Sequence, residues 1–235
     1  MIISLLLATV VVPGHSHNDY ERSRPLLDAL AAHMESIEAD VFLVDGNLLV
    51  GHEREELVPG RTLESLYLKP LKDRLRELSA IYRTTPLILL IDVKTDAKST
   101  FAAIHQRLAD FKLPTWIKPI ISGNRDRSAI LGDRKPLAQY DGRLTDIQFA
   151  GQGIPLISDD WSATFSWDGK GLMPADQLER LRSLVKQVHE RRRKLRFWAA
   201  PDTEESWKTQ LEAGVDLINT DHPVPFQTWF HSITR

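Results

Sequence analysis

The sequence predicts an α/β protein, a single (β/α)8 TIM-type barrel with a small hairpin after its second strand, and three observations point to this. Short β-rich runs alternate with amphipathic helical stretches, the pattern of βα units around a parallel sheet. The chain's 235 residues approach the roughly 250 of a typical barrel, and no linker interrupts them. Acids recur at a two-residue step inside two apolar runs, Ile37-Glu38-Ala39-Asp40 and Ile91-Asp92-Val93-Lys94. A strand has period two, so Glu38 and Asp40 share one face, as do Asp92 and Lys94.

The first strand is expected at Thr9 to Gly14, where it delivers His15 to its end. Residues 1–12 read as first-strand residues or as the remnant of an export signal, with the barrel spanning 9–235. The opening is apolar over a signal-like length but has no Lys or Arg before it and no clear small-x-small cleavage site. It is too short to cross a bilayer, which takes about 20 residues. A helix follows at Arg24 to Met34, then a strand at Ser36 to Phe42. Asp45-Gly46 joins Val41–Val44 to Asn47–Val50 as a tight hairpin whose return arm carries His52 back over the barrel mouth.

Further along, a helix at Thr62 to Ser79 precedes a strand at Leu87 to Lys94, and a helix at Ser99 to Asp110 precedes a strand at Lys118 to Ser122. Strands are expected next at Asp146 to Ala150 and Pro155 to Ser158. Pro174 opens a helix that runs to Arg193, suited to a first turn because proline lacks the N–H that a helix leaves unpaired there. A strand at Leu195 to Ala200 leads to a helix at Thr203 to Ala213, where Thr203 can cap and Glu204 and Glu205 complement the dipole. The last strand is Val215 to Thr220. Arg191-Arg192-Arg193-Lys194 closes a helix before a strand, so it is placed on the face away from the strand carboxyl ends, in water.

Composition excludes more than it names. Hydrophobic content of 42% and charged content of 26% are those of an ordinary globular chain. A net charge of −2 gives no basic stripe for nucleic acid. Without cysteine there are no disulfides, thiolate metal sites or cysteine nucleophile. No transmembrane segment is read. Secretion or a periplasmic location is the expectation, with a cytoplasmic one as the alternative.

Barrel active sites form at the carboxyl ends of the strands. His15, Glu38, Asp40, Asp92, Lys94, Ser122, Trp198 and Asn219 all fall at or just past such ends. Three carboxylates converging in a barrel repel one another and lose hydration, so a divalent cation is the simplest remedy. With histidines in Gly14-His15-Ser16-His17-Asn18-Asp19-Tyr20 and in Val50-Gly51-His52, and with Lys94, the set suggests hydrolysis of a phosphate ester. An edge strand for Glu38 and Asp40, an ordering ion pair for Asp92 and Lys94, and a plain hairpin histidine at His52 are the structural alternatives.

These residues resemble the glycerophosphodiester phosphodiesterase and phosphatidylinositol phospholipase C-like barrels, in a branch that begins with His-Ser-His-Asn-Asp-Tyr. Glu38-Ala39-Asp40 is similar to the family's Glu-x-Asp pair, and Asp45-Gly46 to His52 to its turn before the second catalytic histidine. Asp92-Val93-Lys94, Trp198-Ala199-Ala200 and Gly214-Val215-Asp216 to Thr220-Asp221 follow in the family's order. The usual His-Arg-Gly motif is replaced by Gly14-His15-Ser16-His17-Asn18, and Glu53 stands where the family has Asp. The first catalytic histidine is therefore His15 or His17. The Gly-His-x-x-Asn spacing, similar to sphingomyelinase D barrels, favours His15.

The resemblance implies a metal-dependent phosphoric diester hydrolase acting on a glycerophosphodiester or phospholipid-type substrate. Glu38, Asp40 and Asp92 would hold one Mg2+ or Ca2+, since hard cations take oxygen ligands. His15 and His52 would transfer protons, while Lys94, Trp198, Asn18 and His17 would contact the substrate. The partner is a small-molecule or lipid-derived phosphodiester, with a transient membrane-surface contact left open. A binding barrel for phospholipid or sugar phosphate with little turnover is the alternative, and release of a cyclic phosphate is a variant within the enzyme class. Trp161, Phe165, Trp167 and Trp198 either line a slot for a choline-like head group or pack across the barrel mouth. Arg125 is a further candidate phosphate contact.

Overall fold

The computed structural model describes residues 10–234; the Met1 to Thr9 part of the expected export signal and first strand lies outside them. In chain order the strands are β1 (Val12–Ser16), β2 (Met34–Val44), β3 (Asn47–Val50), β4 (Leu87–Val93), β5 (Ile117–Gly123), β6 (Gln139–Gly142), β7 (Leu156–Asp160), β8 (Lys194–Trp198) and β9 (Leu217–Thr220). All except β3 run parallel and close into a ring of eight, β1 pairing with both β2 and β9. β3 lies antiparallel on β2 around Asp45-Gly46, both in the left-handed conformation that a two-residue turn of this kind requires.

The register of the ring determines what faces inward. Across β2 and β4, Ser36 pairs with Ile88, Glu38 with Leu90 and Asp40 with Asp92, and Asp92 pairs in turn with Ser122 on β5. Paired residues of neighbouring strands point to the same side, so the interior is layered. Ile88, Leu90, Ile120, Leu156 and Leu217 fill the lower levels as one apolar cluster. Polar residues occupy the levels above. The larger apolar core lies outside the ring, where Val41, Leu89, Ile91 and Ile121 meet helix residues such as Ile104 and Leu108.

The helices that matter for position are α1 (Leu27–Ala31), α2 (Lys69–Asp73), α3 (Leu75–Tyr82), α4 (Ala97–Phe111), α5 (Arg127–Leu131), α6 (Trp161–Thr164), α7 (Ala175–Glu190), α8 (Glu204–Ala213) and α9 (Pro223–Ile233). Thr203 caps α8, its hydroxyl accepting from the Ser206 amide. The helix expected at Arg24 to Met34 shortens to α1 because the backbone reverses at His33 and Met34 already belongs to β2.

Two expectations are corrected. Asp146 to Ala150 is not a strand: Leu144–Asp146 forms a short helical turn, and the fifth strand of the ring is the four-residue β6. Ile147 and Phe149 imitate strand alternation, whereas the true strand carries a buried acid, Asp141, in an Asp-Gly sequence that reads as a turn. The basic run after α7 is not wholly in water either. Arg193 is buried and donates to the carbonyls of Asp146, Ile147 and Phe149, and Lys194 pairs with buried Glu35 at 2.7 Å.

Candidate active site

A cavity of about 210 Å³ opens at the carboxyl ends of the strands. Glu38, Asp40 and Asp92 line one wall, each with a carboxylate oxygen within 4.8 Å of the other two. Gly123 makes room for this: its φ of +67° and lack of a side chain let the Asp92 carboxylate sit where a Cβ would be. Lys94 Nζ lies 2.9 Å from Asp40 and 3.3 Å from Asp92.

The charges of this wall are not balanced among themselves. Burial, then the charges of Glu38 and Asp92, push the Asp40 carboxyl up to about 7. Burial and Glu38 raise Asp92 as well. Burial alone would raise Glu38, but Arg196, His15 and His17 outweigh it and hold Glu38 well below the usual range. Asp40 Oδ2 accepts from Tyr20 and Lys94, while its buried Oδ1 has no hydrogen-bond partner. An unpaired buried carboxylate oxygen is costly, and a hard cation among three carboxylates would relieve it. The donor set therefore fits a Mg2+ or Ca2+ ion.

Each residue of His15-Ser16-His17-Asn18-Asp19-Tyr20 has a contact that explains it. His15 is completely buried beneath the cavity, 2.7 Å from Ser36 Oγ through Nδ1 and 2.9 Å from Glu38 Oε2 through Nε2. Burial first, and then the Arg196 guanidinium, bring its pKa down to about 3. A neutral ring must donate Nε2–H to the carboxylate and accept from Ser36. His15 thus has no free nitrogen and does not reach the cavity.

His17, two residues on, does reach it. Its Nδ1 lies 2.8 Å from Asp221 Oδ1 and its Nε2 3.9 Å from Glu38 Oε2. Burial works against protonation of His17, but the Asp221 hydrogen bond and the Glu38 charge prevail and raise its pKa. Asn18 takes a left-handed backbone and stands 3.4 Å from Asp221. Asp19 is buried, accepting from Ser16 and Tyr67.

Tyr20 ties the motif to the opposite side. Its hydroxyl lies 2.8 Å from Asp40 Oδ2, 2.9 Å from Asn18 Oδ1 and 3.1 Å from His52 Nδ1. With its single proton directed to an oxygen acceptor, the phenol oxygen accepts from His52 Nδ1–H. His52, half exposed on the arm after β3, lines the cavity.

The far wall was less visible in the sequence. Arg196, inward on β8 and buried, donates from Nε to Asn219 Oδ1 at 3.1 Å and stands 3.7 Å from Glu38. Arg143, just past β6, pairs with Asp141 at 2.8 Å and lies over the Trp198 ring. Nothing in the order of residues singled out either arginine; the signal available was period-two placement, Arg196 preceding Trp198 by two on one strand. Trp161, Phe165 and Trp167 are buried against one another and Phe197, so of the four aromatics only Trp198 borders the cavity. Arg125 is turned to the carbonyls of Asp141 and Gly123.

Residues 4–126, just over half of the chain, match the model of the AIM6-like phosphodiesterase domain. The chain belongs to that family. Residues 194–224 also match the glycerophosphoryl diester phosphodiesterase family, so both ends of this AIM6-like chain point to one superfamily. Altered inheritance of mitochondria protein 6 homolog of Arthroderma benhamiae is 29% identical over 256 residues, covering 90% of this chain and 82% of its own. The Saccharomyces cerevisiae protein of that name is 26% identical, with coverages of 90% and 69%. In fold, the chain is similar to a glycerophosphodiester phosphodiesterase from Parabacteroides distasonis, with a TM-score of 0.60, 17% identity and coverages of 96% and 97%. A glycerophosphodiester phosphodiesterase from Agrobacterium tumefaciens gives 0.53, 14%, 95% and 97%. Among the described residues no helix is long and apolar enough to cross a membrane.

Proposed function

We propose that this AIM6-like protein is a metal-dependent phosphoric diester hydrolase acting on a glycerophosphodiester or phospholipid-type substrate. One observation carries the reading: three carboxylates within 4.8 Å of one another, one with an unpaired buried oxygen, share a cavity with His17, His52 and Lys94. Membership of a phosphodiesterase family supports it.

In this mechanism Glu38, Asp40 and Asp92 hold the ion, which when bound supplies Lewis-acid stabilisation of the nonbridging phosphate oxygens. Lys94 adds positive charge where negative charge builds in the transition state. His17 takes the part of the first histidine in place of His15. Its Nδ1–H donates to Asp221, leaving the Nε2 lone pair in the cavity to accept a proton from the attacking water, or to attack phosphorus directly. His52, oriented through Nδ1 by Tyr20, protonates the departing alcohol. Each such transfer is typically worth about 10²- to 10⁴-fold. His15 is a positioning residue that fixes Glu38.

Chelator-stripped protein assayed with bis(p-nitrophenyl) phosphate tests the reading. Turnover restored by Mg2+ or Ca2+ and lost in His52→Ala is expected. Tight phosphate-ester binding without turnover would instead identify a binding barrel. Phosphorus NMR of the product separates hydrolysis from release of a cyclic phosphate.

A further inference from the structure

The geometry points to Arg143, clamped over Trp198 by Asp141, as the residue that reads the substituent on the phosphate. It favours one that carries a carboxylate or a second phosphate and turns away a quaternary ammonium. This inference rests on the phosphodiester reading of the cavity and names the substrate class within it.

Recognition of a quaternary ammonium needs an open aromatic face, usually several. Among the described residues Trp198 is the one Phe, Tyr or Trp lining the cavity, and the Arg143 guanidinium carbon already lies 4.6 Å from its ring centroid. A fixed cation lies over one face of that ring and repels a second cation brought to it. The other tryptophans of this loop region do not help, because Trp161 and Trp167 are buried.

The guanidinium is held from behind. Nη1 donates to Asp141 Oδ2 at 2.8 Å, to Gly142 O at 3.1 Å and to Ser158 O at 3.4 Å. Asp141 is fully buried and also accepts from the hydroxyls of Ser122 at 2.8 Å and Ser158 at 2.7 Å. Its negative charge is therefore turned inward, and the cavity meets the positive partner: the Arg143 side chain is 25% exposed, that of Asp141 0%. On the cavity side, Nη2 makes a long contact of 3.5 Å with Ser122. It is left to donate to an incoming acceptor.

Position separates Arg143 from the reacting groups. Lys94 and Arg196 face the metal-type carboxylates, whereas Arg143 follows β6, across the ring from β1 and His17. A phosphate seated at the carboxylate wall thus directs one substituent toward Arg143. A preorganised planar guanidinium binds carboxylate or phosphate oxygens in two-pronged fashion, which a lysine cannot do.

The test uses three diesters of p-nitrophenol whose second arm is trimethylammonioethyl, hydroxyethyl or carboxyethyl. Their kcat/KM values are compared for the wild type, Arg143→Lys and the pair Asp141→Asn/Arg143→Gln, which avoids a buried carboxylate without its cation. The wild type is expected to prefer the carboxyethyl over the trimethylammonioethyl diester by ~10-fold or more, the range of a charge-assisted hydrogen bond. Arg143→Lys keeps a reduced preference and the paired substitution abolishes it. Calorimetric binding of the same diesters to His52→Ala protein, with and without the paired substitution, gives a ranking that needs no turnover. Hydrolysis of none of the three by wild type counts against the phosphodiesterase reading, and the calorimetric ranking then decides the inference alone. A preference for the trimethylammonioethyl arm, equal use of the arms, or a carboxyethyl preference that survives the paired substitution overturns it.

Discussion

His17 and Asp221 bridge the seam where the first and last strands of the ring meet, with 2.8 Å between Nδ1 of one and Oδ1 of the other. The contact joins residues 204 apart in sequence. It fixes the ring tautomer, because a carboxylate can only accept, and so decides which nitrogen of His17 faces the cavity.

Asp221→Asn is expected to lower the His17 pKa. The folded value lies above the ordinary 6.5, so its stabilising effect is complete below 6.5 and fades as pH rises through the folded value. Asp221 lies below 3.8, and its effect is complete above 3.8 and fades as pH falls through its own folded value. NMR titration of the His17 ring in metal-free protein measures this. An unchanged pKa in Asp221→Asn would show that the contact does not hold the ring.

The two histidines of the opening motif are expected to behave differently when removed. His15→Ala leaves Ser36 and Glu38 buried without their partner, so urea unfolding should show a loss of about 1–3 kcal/mol. His17→Ala removes a partly exposed ring and should lower kcat by about 10²- to 10⁴-fold with a smaller loss of stability. Full activity in folded His17→Ala would return the catalytic part to another residue.

Cation binding should strengthen with pH and release protons. Asp40, raised from 3.8 to about 7, is partly protonated near neutrality in the free protein. With the folded value raised, Asp40 favours folding fully below 3.8, and this is lost as pH rises through about 7; a bound ion removes the penalty. Calorimetry with Mg2+ or Ca2+ in buffers of different ionisation enthalpy should show proton release near pH 7 and little near pH 9. Equal release at both would contradict the assignment.

Gly123→Ala places a methyl group on the Asp92 carboxylate and on the backbone of Val93. Overpacking of this kind costs about 1–3 kcal/mol, and the positive φ adds strain. A lower melting temperature together with weaker cation binding is expected. Loss of stability without loss of affinity would separate Gly123 from the site.

The sequence was most legible where a side chain's chemistry and the strand period coincided. Glu38, Asp40, Asp92 and Lys94 could be placed on one wall because alternation in a buried strand leaves them one direction to point. His17 could not be told from His15, since both point inward from β1 and only depth, set by pairing with β2 and β9, distinguishes them. Arg143 depends on β6, a four-residue strand hidden in a turn-like Asp-Gly sequence. The arginine clamp over Trp198 arises from strands far apart in sequence. α9 was not among the helices read from the sequence, although Pro223 stands in its first turn as Pro174 stands before that of α7.

Anomalous diffraction from a crystal soaked in Mn2+, which scatters where Mg2+ would bind, measures the ion directly. A single peak within about 2.6 Å of oxygens from Glu38, Asp40 and Asp92, absent from Asp40→Asn crystals, is the predicted result. No peak at these carboxylates, with Lys94 alone still bridging Asp40 and Asp92, would contradict it.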